Sequence, residues 1–214
     1  MKINHILFDL DDTLYRSSSG LFQEISRRMT AFVARYCDLD QAAAINRREE
    51  YRIHYGTTLG GLMQHGGLKD PEEFIRAVHP RDVDSYITPD FALRPMLRAI
   101  SCPKSIFTNS PREHAERVLE FFGITDCFCH IFDIRFSGFV GKPDADAYRK
   151  VLDVLGEVPG RVLFIDDSAS YLRGYQKLGG QVLQVREDGV SAGDWLCLKG
   201  IKELPDFLKT VSVV

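Results

Sequence analysis

Three carboxylates in four residues, Asp9, Asp11 and Asp12, follow directly on the apolar run Ile6-Leu7-Phe8. Along an extended chain, side chains at i and i+2 leave on the same face, so Asp9 and Asp11 are expected to address one small volume. Acids this close repel one another unless something positive sits with them, and a divalent cation is the economical candidate. Two further apolar runs end in the same manner. Ser105-Ile106-Phe107 gives way to Thr108-Asn109-Ser110, and Val162-Leu163-Phe164-Ile165 to Asp166-Asp167-Ser168, with Lys142 ahead of the last. A single acid pair after an apolar run is as readily a helix cap. Three polar clusters, each after a strand of the buried type and each leading into helical sequence, mark instead the carboxyl edge of a parallel sheet, where such sheets bind ligands.

The elements that must hold these residues follow from periodicity and stop signals. After Tyr15 a polar hinge reaches Gly20, and from Leu21 to about Thr88 the pattern is helical with almost no strand signal. Leu21, Phe22, Ile25, Met29, Phe32, Val33 and Tyr36 form the stripe of one helix. Asp40 is expected to cap a second that ends at Tyr55 and Gly56, and Thr57 or Thr58 a third toward Gly66. Asp70-Pro71-Glu72-Glu73 opens a fourth, ending near His79-Pro80. From Pro89 strands and helices alternate. A helix starts near Pro95, and a capping box at Ser110-Pro111-Arg112-Glu113 opens the next. Ile131 to Ile134 reads as a strand, Asp144 caps a helix stopped by Gly156, and another helix runs to Leu178. Gln181 to Val185 reads as a strand, Trp195 to Leu198 as an edge strand, and Ile201 to Leu208 as a closing helix despite Pro205. The layout is α/β: residues 1–15 and 89–214 form a core with a central parallel sheet flanked by helices, and residues 16–88 an inserted all-helical domain.

Composition excludes several classes. The 214 residues, 44% hydrophobic and 27% charged, suit a globular chain with a sizeable core, and a net charge of -3 without a Lys/Arg block gives no footprint for a nucleic acid polymer. Arg27-Arg28 and Arg47-Arg48 read as solvated helix faces. No apolar run approaches the roughly 18 residues of a membrane span, and Asp9 interrupts the N-terminal stretch too early for a signal peptide, so no membrane partner and a cytoplasmic location are expected. Five scattered cysteines do not form a disulfide framework. Cys127-Phe128-Cys129-His130 lacks zinc-site spacing and reads as buried thiols. His54, His65 and His79 read as partly buried or solvated residues rather than ligands.

The chain resembles the haloacid dehalogenase superfamily through D-x-D-x-T at Asp9 to Thr13, Thr108-Asn109, Lys142 in G-K-P-D, and Asp166-Asp167, all in the family's order and spanning essentially the whole chain. That resemblance implies a Rossmann-like core, with the insert as a small helical cap of the C1 type. It implies that Asp9 is the nucleophile, forming an aspartyl phosphate, and that Asp11 protonates the leaving oxygen and then activates water. Thr108, Asn109 and Lys142 would hold the phosphoryl group. Mg2+ would be held by Asp9, the Asp11 carbonyl and the last acid pair, with Asp167 favoured as direct ligand and Asp166 as a water-held second acid.

Within the superfamily the sequence resembles the pyrimidine 5'-nucleotidase branch, through F-D-L-D-D-T-L-Y, Y-G-T-T-L-G-G-L from Tyr55, Val78-His79, and the Pro89 to Arg94 stretch. The implied activity is a magnesium-dependent phosphatase acting on a small phosphomonoester, first of all a nucleoside 5'-monophosphate, as a monomer or homodimer. Tyr55, Thr57 and Thr58 are the candidates for substrate contact, at a turn rich in groups that stack or hydrogen-bond. The alternatives are a sugar- or cofactor-phosphate phosphatase, a phosphomutase, and a non-catalytic regulatory or binding module on the same fold. Relatives that dehalogenate carbon lack the second Asp, transport ATPases carry Thr there, and receiver domains lack the last acid pair. No G-x-x-x-x-G-K-[ST] occurs, so Gly141-Lys142 is not a nucleotide P-loop.

Overall fold

The structure is a computed structural model that describes residues 2–210 and 212–213. It opens with β1 (Lys2–Ile3) and β2 (His5–Phe8), followed by four helices, α1 (Leu21–Tyr36), α2 (Gln41–Tyr55), α3 (Thr58–Gln64) and α4 (Pro71–Val78). Then come α5 (Leu93–Ala99), β3 (Lys104–Phe107), α6 (Arg112–Phe121), β4 (Ile131–Phe132), α7 (Ala145–Leu155), β5 (Val162–Asp166), α8 (Ala169–Gln176) and β6 (Gln181–Val185). The described chain closes with β7 (Cys197–Leu198), α9 (Leu204–Thr210) and β8 (Ser212–Val213), the last paired in parallel with β1.

The main sheet is six-stranded and parallel throughout, in the order β4-β3-β2-β5-β6-β7. The chain lays β3 and β4 to one side of β2, then crosses to build β5, β6 and β7 on the other. The carboxyl ends of β2, β3 and β5 therefore flank the switch point, the position at which open parallel sheets form a crevice. Alternation along the strands feeds two cores. Ile6, Phe8, Ile106, Leu163 and Ile165 point to one face, packed with Leu93 and Leu97 of α5 and Ala115, Val118 and Leu119 of α6. Leu7, Phe107, Val162 and Phe164 point to the other, against Tyr148 and Val151 of α7 and Leu172 and Tyr175 of α8. Burial on both faces is why these strands read as unbroken apolar runs.

A third cluster joins the helices α1 to α4, with Phe32, Val33, Tyr51, Leu62, Phe74 and Val78 at its centre and Ile134 entering from the segment after β4. The first turn of α1, with Leu21 and Ile25, packs instead with the sheet, as do Val83 and Ile87. Arg135 ties the two parts together. Its guanidinium donates to both carboxylate oxygens of Glu72 in α4, at 2.6 and 2.7 Å, and to Glu113 in α6 at 2.7 Å.

Local signals placed most helix boundaries. Asp40, Thr57, Asp70 and Asp144 each accept a backbone N–H in the first turn of α2, α3, α4 and α7. Other expectations need correction. The capping box at Ser110 does not form: α6 starts at Arg112, whose N–H is taken by Asp133 at 3.0 Å, while the Ser110 hydroxyl is used elsewhere. Asp133 also accepts from Phe136 N, a turn that ends β4 at Phe132, two residues before the expected Ile134. Arg48 is not a solvated face, since it donates to the Ser26 carbonyl and Thr30 hydroxyl and pins α2 to α1. Phe22 is exposed rather than part of the buried stripe, Cys129 is exposed rather than a buried thiol, and His79 is buried. No described helix is long and apolar enough to cross a membrane.

A methyl group on Gly61 would overlap the Tyr51 ring, so α2 and α3 meet only because that position lacks a side chain. Gly61→Ala is expected to destabilise the protein by about 1–3 kcal/mol through overpacking. Urea unfolding checks this: the midpoint falls while the slope is retained, and an unchanged midpoint contradicts the packing assigned to Gly61.

Candidate active site

Asp9 is the first residue beyond β2, and its N–H donates to the Ile165 carbonyl at 2.8 Å, fixing the end of β2 against β5. Its carboxylate accepts from the Lys142 ammonium at 2.6 Å through Oδ1 and from the Thr13 hydroxyl at 3.2 Å through Oδ2. The same ammonium donates to Asp166 Oδ2 at 2.7 Å and to the Phe107 carbonyl at 2.9 Å, so it joins the ends of β2, β3 and β5. Lys142 has 0% of its surface exposed and lies 5.1 to 5.4 Å from the ring centres of Phe107, Phe164 and Tyr171. Aromatic faces and carboxylates together supply what water would otherwise give a buried ammonium. The positive group expected among the acids is thus in the first place a lysine.

Asn109 holds the Lys142 backbone. Its Nδ2 donates to the Lys142 carbonyl and its Oδ1 accepts the Lys142 N–H, both at 2.9 Å. The Thr108 hydroxyl accepts the Ser110 N–H at 3.0 Å and is buried. Both residues lie in the cluster as the sequence predicts, with their polar groups engaged in shaping the loop. On the other side Asp166 accepts the Ser168 N–H through Oδ1, and Gln184, fully buried, donates to the Asp167 carbonyl at 2.8 Å. Gln184 was not legible as a site residue because it sits mid-strand in β6.

Burial pushes the Asp9, Asp166 and Asp167 carboxyls up to about 7, with Lys142 pulling each of them down. Burial alone would depress the lysine, but Asp166 and Asp9 outweigh it and hold the ammonium well above its usual range. One lysine therefore faces a surplus of carboxylates. One oxygen each from Asp9, Asp166 and Asp167 lies within 4.8 Å of the others. An all-oxygen, net-negative donor set of this kind fits a hard divalent cation. Asp166 is occupied by Lys142 and Ser168, and among the described residues no side chain donates to Asp167, which leaves Asp167 the freer acid for a metal.

Asp11 departs from its expected direction. β2 stops at Phe8 and the chain turns at Asp11 to Leu14, with Asp12 in the left-handed region at φ 57°, so the alternation of an extended strand does not carry to Asp11. Its carboxylate points to α6, where Oδ1 accepts from Tyr15 at 2.6 Å and from His114 Nε2 at 2.7 Å, and Oδ2 from Ser110 at 2.6 Å. Burial would raise this group, but His114, Ser110 and Tyr15 prevail and hold it far below the usual carboxylate range. Asp12, by contrast, has a buried Oδ1 with no partner and is pushed up to about 7 by burial and by Asp11 and Asp9.

The turn carrying Tyr55, Thr57 and Thr58 lies over the lysine loop, where a side chain on Gly56 would meet Pro143 at 3.2 Å. Thr57 spends its hydroxyl on capping α3, accepting Gly60 N–H at 2.8 Å, Thr58 is buried, and Tyr55 packs beside Tyr51 and His65. A cleft of about 930 Å³ reaches Asp12 and Asp167, between the linkers at Arg16 and Tyr86 and the Arg186 and Lys199 loops. None of Tyr55, Thr57 and Thr58 lines it.

The sequence matches a family described as haloacid dehalogenase-like hydrolase over residues 3–179. Phosphate metabolism protein 8 of Saccharomyces cerevisiae is 28% identical over 197 residues, 85% of this chain, which spans 61% of the yeast protein's length. Among solved structures, L-2-haloacid dehalogenase from Xanthobacter autotrophicus aligns with a TM-score of 0.59 at 18% identity, covering 98% of this chain and 100% of that one. HAD phosphatase from Thermococcus onnurineus gives 0.59 at 18% identity, covering 97% and 98%.

His79, at the end of α4, is lowered from 6.5 to about 3, chiefly by burial and then by His114. Between those values the unfolded chain binds a proton that the folded chain refuses. Stability is then complete above about pH 6.5 and falls on acidification toward 3, by up to about 1.4 kcal/mol per pH unit. Urea unfolding of wild type and His79→Gln across pH 7 to 4 checks this: the variant is expected to have the flatter acid limb, and parallel limbs contradict it.

Proposed function

The chain belongs to the haloacid dehalogenase-like hydrolases, and from that premise we propose that it is a magnesium-dependent phosphatase that hydrolyses a small phosphomonoester through an aspartyl phosphate on Asp9. The observation that carries this reading is the Lys142 ammonium between the Asp9 and Asp166 carboxylates, with Asp167 left free beside them. A cationic lysine, a carboxylate nucleophile and an oxygen-only metal site around one point are what in-line phosphoryl transfer requires. The same set gives a halide no particular help. A departing halide needs no proton, whereas a departing alkoxide does, and this chain retains Asp11.

In this reading an Asp9 carboxylate oxygen bonds to phosphorus as the ester P–O bond breaks, and the leaving oxygen takes a proton from Asp11, which is ionised at rest and must first take that proton up. Water then attacks the same phosphorus and gives its proton to Asp11, the P–O bond to Asp9 breaks, and phosphate leaves. Lys142 holds Asp9 in place and balances charge on the phosphoryl oxygens throughout. Magnesium, held by Asp9, Asp167, the Asp11 carbonyl and more distantly Asp166, would neutralise negative charge on the transferring group. Residues 1–15 and 89–214 serve as the catalytic core and 16–88 as a cap.

The proposed substrate is a nucleoside 5'-monophosphate, in the first place a pyrimidine one. Support comes from the cap-segment motifs and from the Tyr55 to Thr58 turn lying on the Lys142-Pro143 loop. Phosphate release from UMP, CMP, purine nucleotides and sugar phosphates, with magnesium and against Asp9→Asn, tests both levels. Turnover fastest on UMP or CMP is expected. A sugar phosphate as the best substrate sinks the nucleotide reading, recovery of an isomerised sugar phosphate from glucose 1-phosphate points to a mutase, and no release above Asp9→Asn on any ester removes the phosphatase reading.

Lys142→Met leaves two buried carboxylates without their counter-charge. About 3–5 kcal/mol of stability should be lost, as for other broken buried pairs, and kcat should fall by about 10³-fold or more. A variant with near wild-type turnover contradicts the role given to the ammonium.

A further inference from the structure

The site contains a buried imidazole that the phosphoryl-transfer scheme does not use. His114 is fully buried on α6 among Ala115, Val118 and Leu119. A carboxylate can only accept, so the His114 Nε2 that lies 2.7 Å from Asp11 Oδ1 carries the hydrogen of that bond. The ring's other nitrogen, Nδ1, is buried without a partner. Enclosing a polar atom in this way is unfavourable, and an apolar side chain in the same helix face would avoid it. The bond to Asp11 is what the imidazole returns for that cost.

His114 is also the point where the helical segment meets Asp11. The His79 ring, at the carboxyl end of α4, lies 5.1 Å from the His114 ring, and His79 Nδ1–H donates to the Ile75 carbonyl at 3.0 Å, which fixes its orientation. The opposite end of α4 is held to the sheet side by Glu72 and Arg135. A displacement of α4 would take His79 off His114 and admit water beside the bond to Asp11.

Building on the phosphatase reading above, we propose that His114 is a positioning residue for Asp11, and that His79 couples the placement of this leaving-group acid to the seating of the helical segment over the site. His114, Ser110 and Tyr15 grip the carboxyl from three directions, so its path toward the substrate oxygen is set from the α6 side. Removal of His114 loosens the acid without touching Asp9, Lys142, Asp166 or Asp167. The consequence is specific: proton delivery suffers, and phosphorus attack does not.

Leaving-group dependence separates this role from a structural one. UMP releases a sugar alkoxide that needs a proton, whereas p-nitrophenyl phosphate releases a stable phenolate that does not. The full chain with magnesium is assayed for kcat/KM, which reports the step that expels the leaving group, in wild type, His114→Leu, His114→Gln and His79→Phe. His114→Leu is expected to lose about 10- to 100-fold on UMP, part of the roughly 10²–10⁴ that a general acid supplies, and less than about threefold on p-nitrophenyl phosphate. His114→Gln, which keeps an N–H donor, recovers most of the loss, and His79→Phe has a smaller loss with the same substrate dependence. Equal losses on both esters, or none on UMP, overturn the proposal while the phosphatase reading stands. A wild type that hydrolyses neither ester overturns both.

Discussion

An ammonium group sealed from water can persist only where the protein replaces every interaction that water would have made, and in this fold the group is Lys142. Two carboxylates, one carbonyl and three aromatic faces do so, and they come from β2, β3, β5 and α8, distant stretches of the chain. The demand is mutual. Asp9 and Asp166 are buried too and could not both ionise beside Asp167 without the lysine. The parallel sheet brings the ends of β2, β3 and β5 to one edge, and Asn109 grips the lysine's own backbone, so ordinary strand register becomes a charge cluster with defined geometry.

The same cluster separates two carboxylates that are neighbours in sequence. Asp9 is raised by burial and by Asp166 and Asp11 against the pull of Lys142, while Asp11, gripped by His114, Ser110 and Tyr15, is held low despite its burial. Environment rather than residue type distinguishes them, and the low value suits Asp11 to stay ionised at rest and take the proton of the attacking water. In the proposed reaction that division gives Asp9 to phosphorus and Asp11 to the leaving oxygen and the water. The helices α1 to α4 contribute by position: α4 is attached to the sheet side at both ends, through Arg135 and through His79, and the Tyr55 to Thr58 turn rests on the lysine loop.

The core of this arrangement was legible because its signals are local. Continuous apolar runs announce strands buried on both faces, Asp40, Thr57, Asp70 and Asp144 announce helix starts, and polar clusters after three such runs announce a shared sheet edge. What escaped depends on tertiary partners. Asp11 was expected beside Asp9, but the turn at Asp12 sends it to a histidine 103 positions away. Ser110 reads as a helix cap until Asp11 claims its hydroxyl and Asp133 takes its place. Arg48 reads as a surface charge until α1 offers it a carbonyl and a hydroxyl. His114 did leave a trace, a polar residue on the same helix face as Val118, four positions on, and such a residue needs a buried partner.

Hydrolysis through an aspartyl phosphate requires Asp9 to become covalently bound to phosphorus, and that bond can be observed. Mixing the enzyme and magnesium with UMP labelled on phosphorus, quenching in acid within the first turnover and mapping peptides reads it directly. The expected result is an acid-stable label, released by hydroxylamine, on the peptide that carries Asp9. Rapid release of phosphate with no protein-bound label, or a label on a peptide without Asp9, would contradict it.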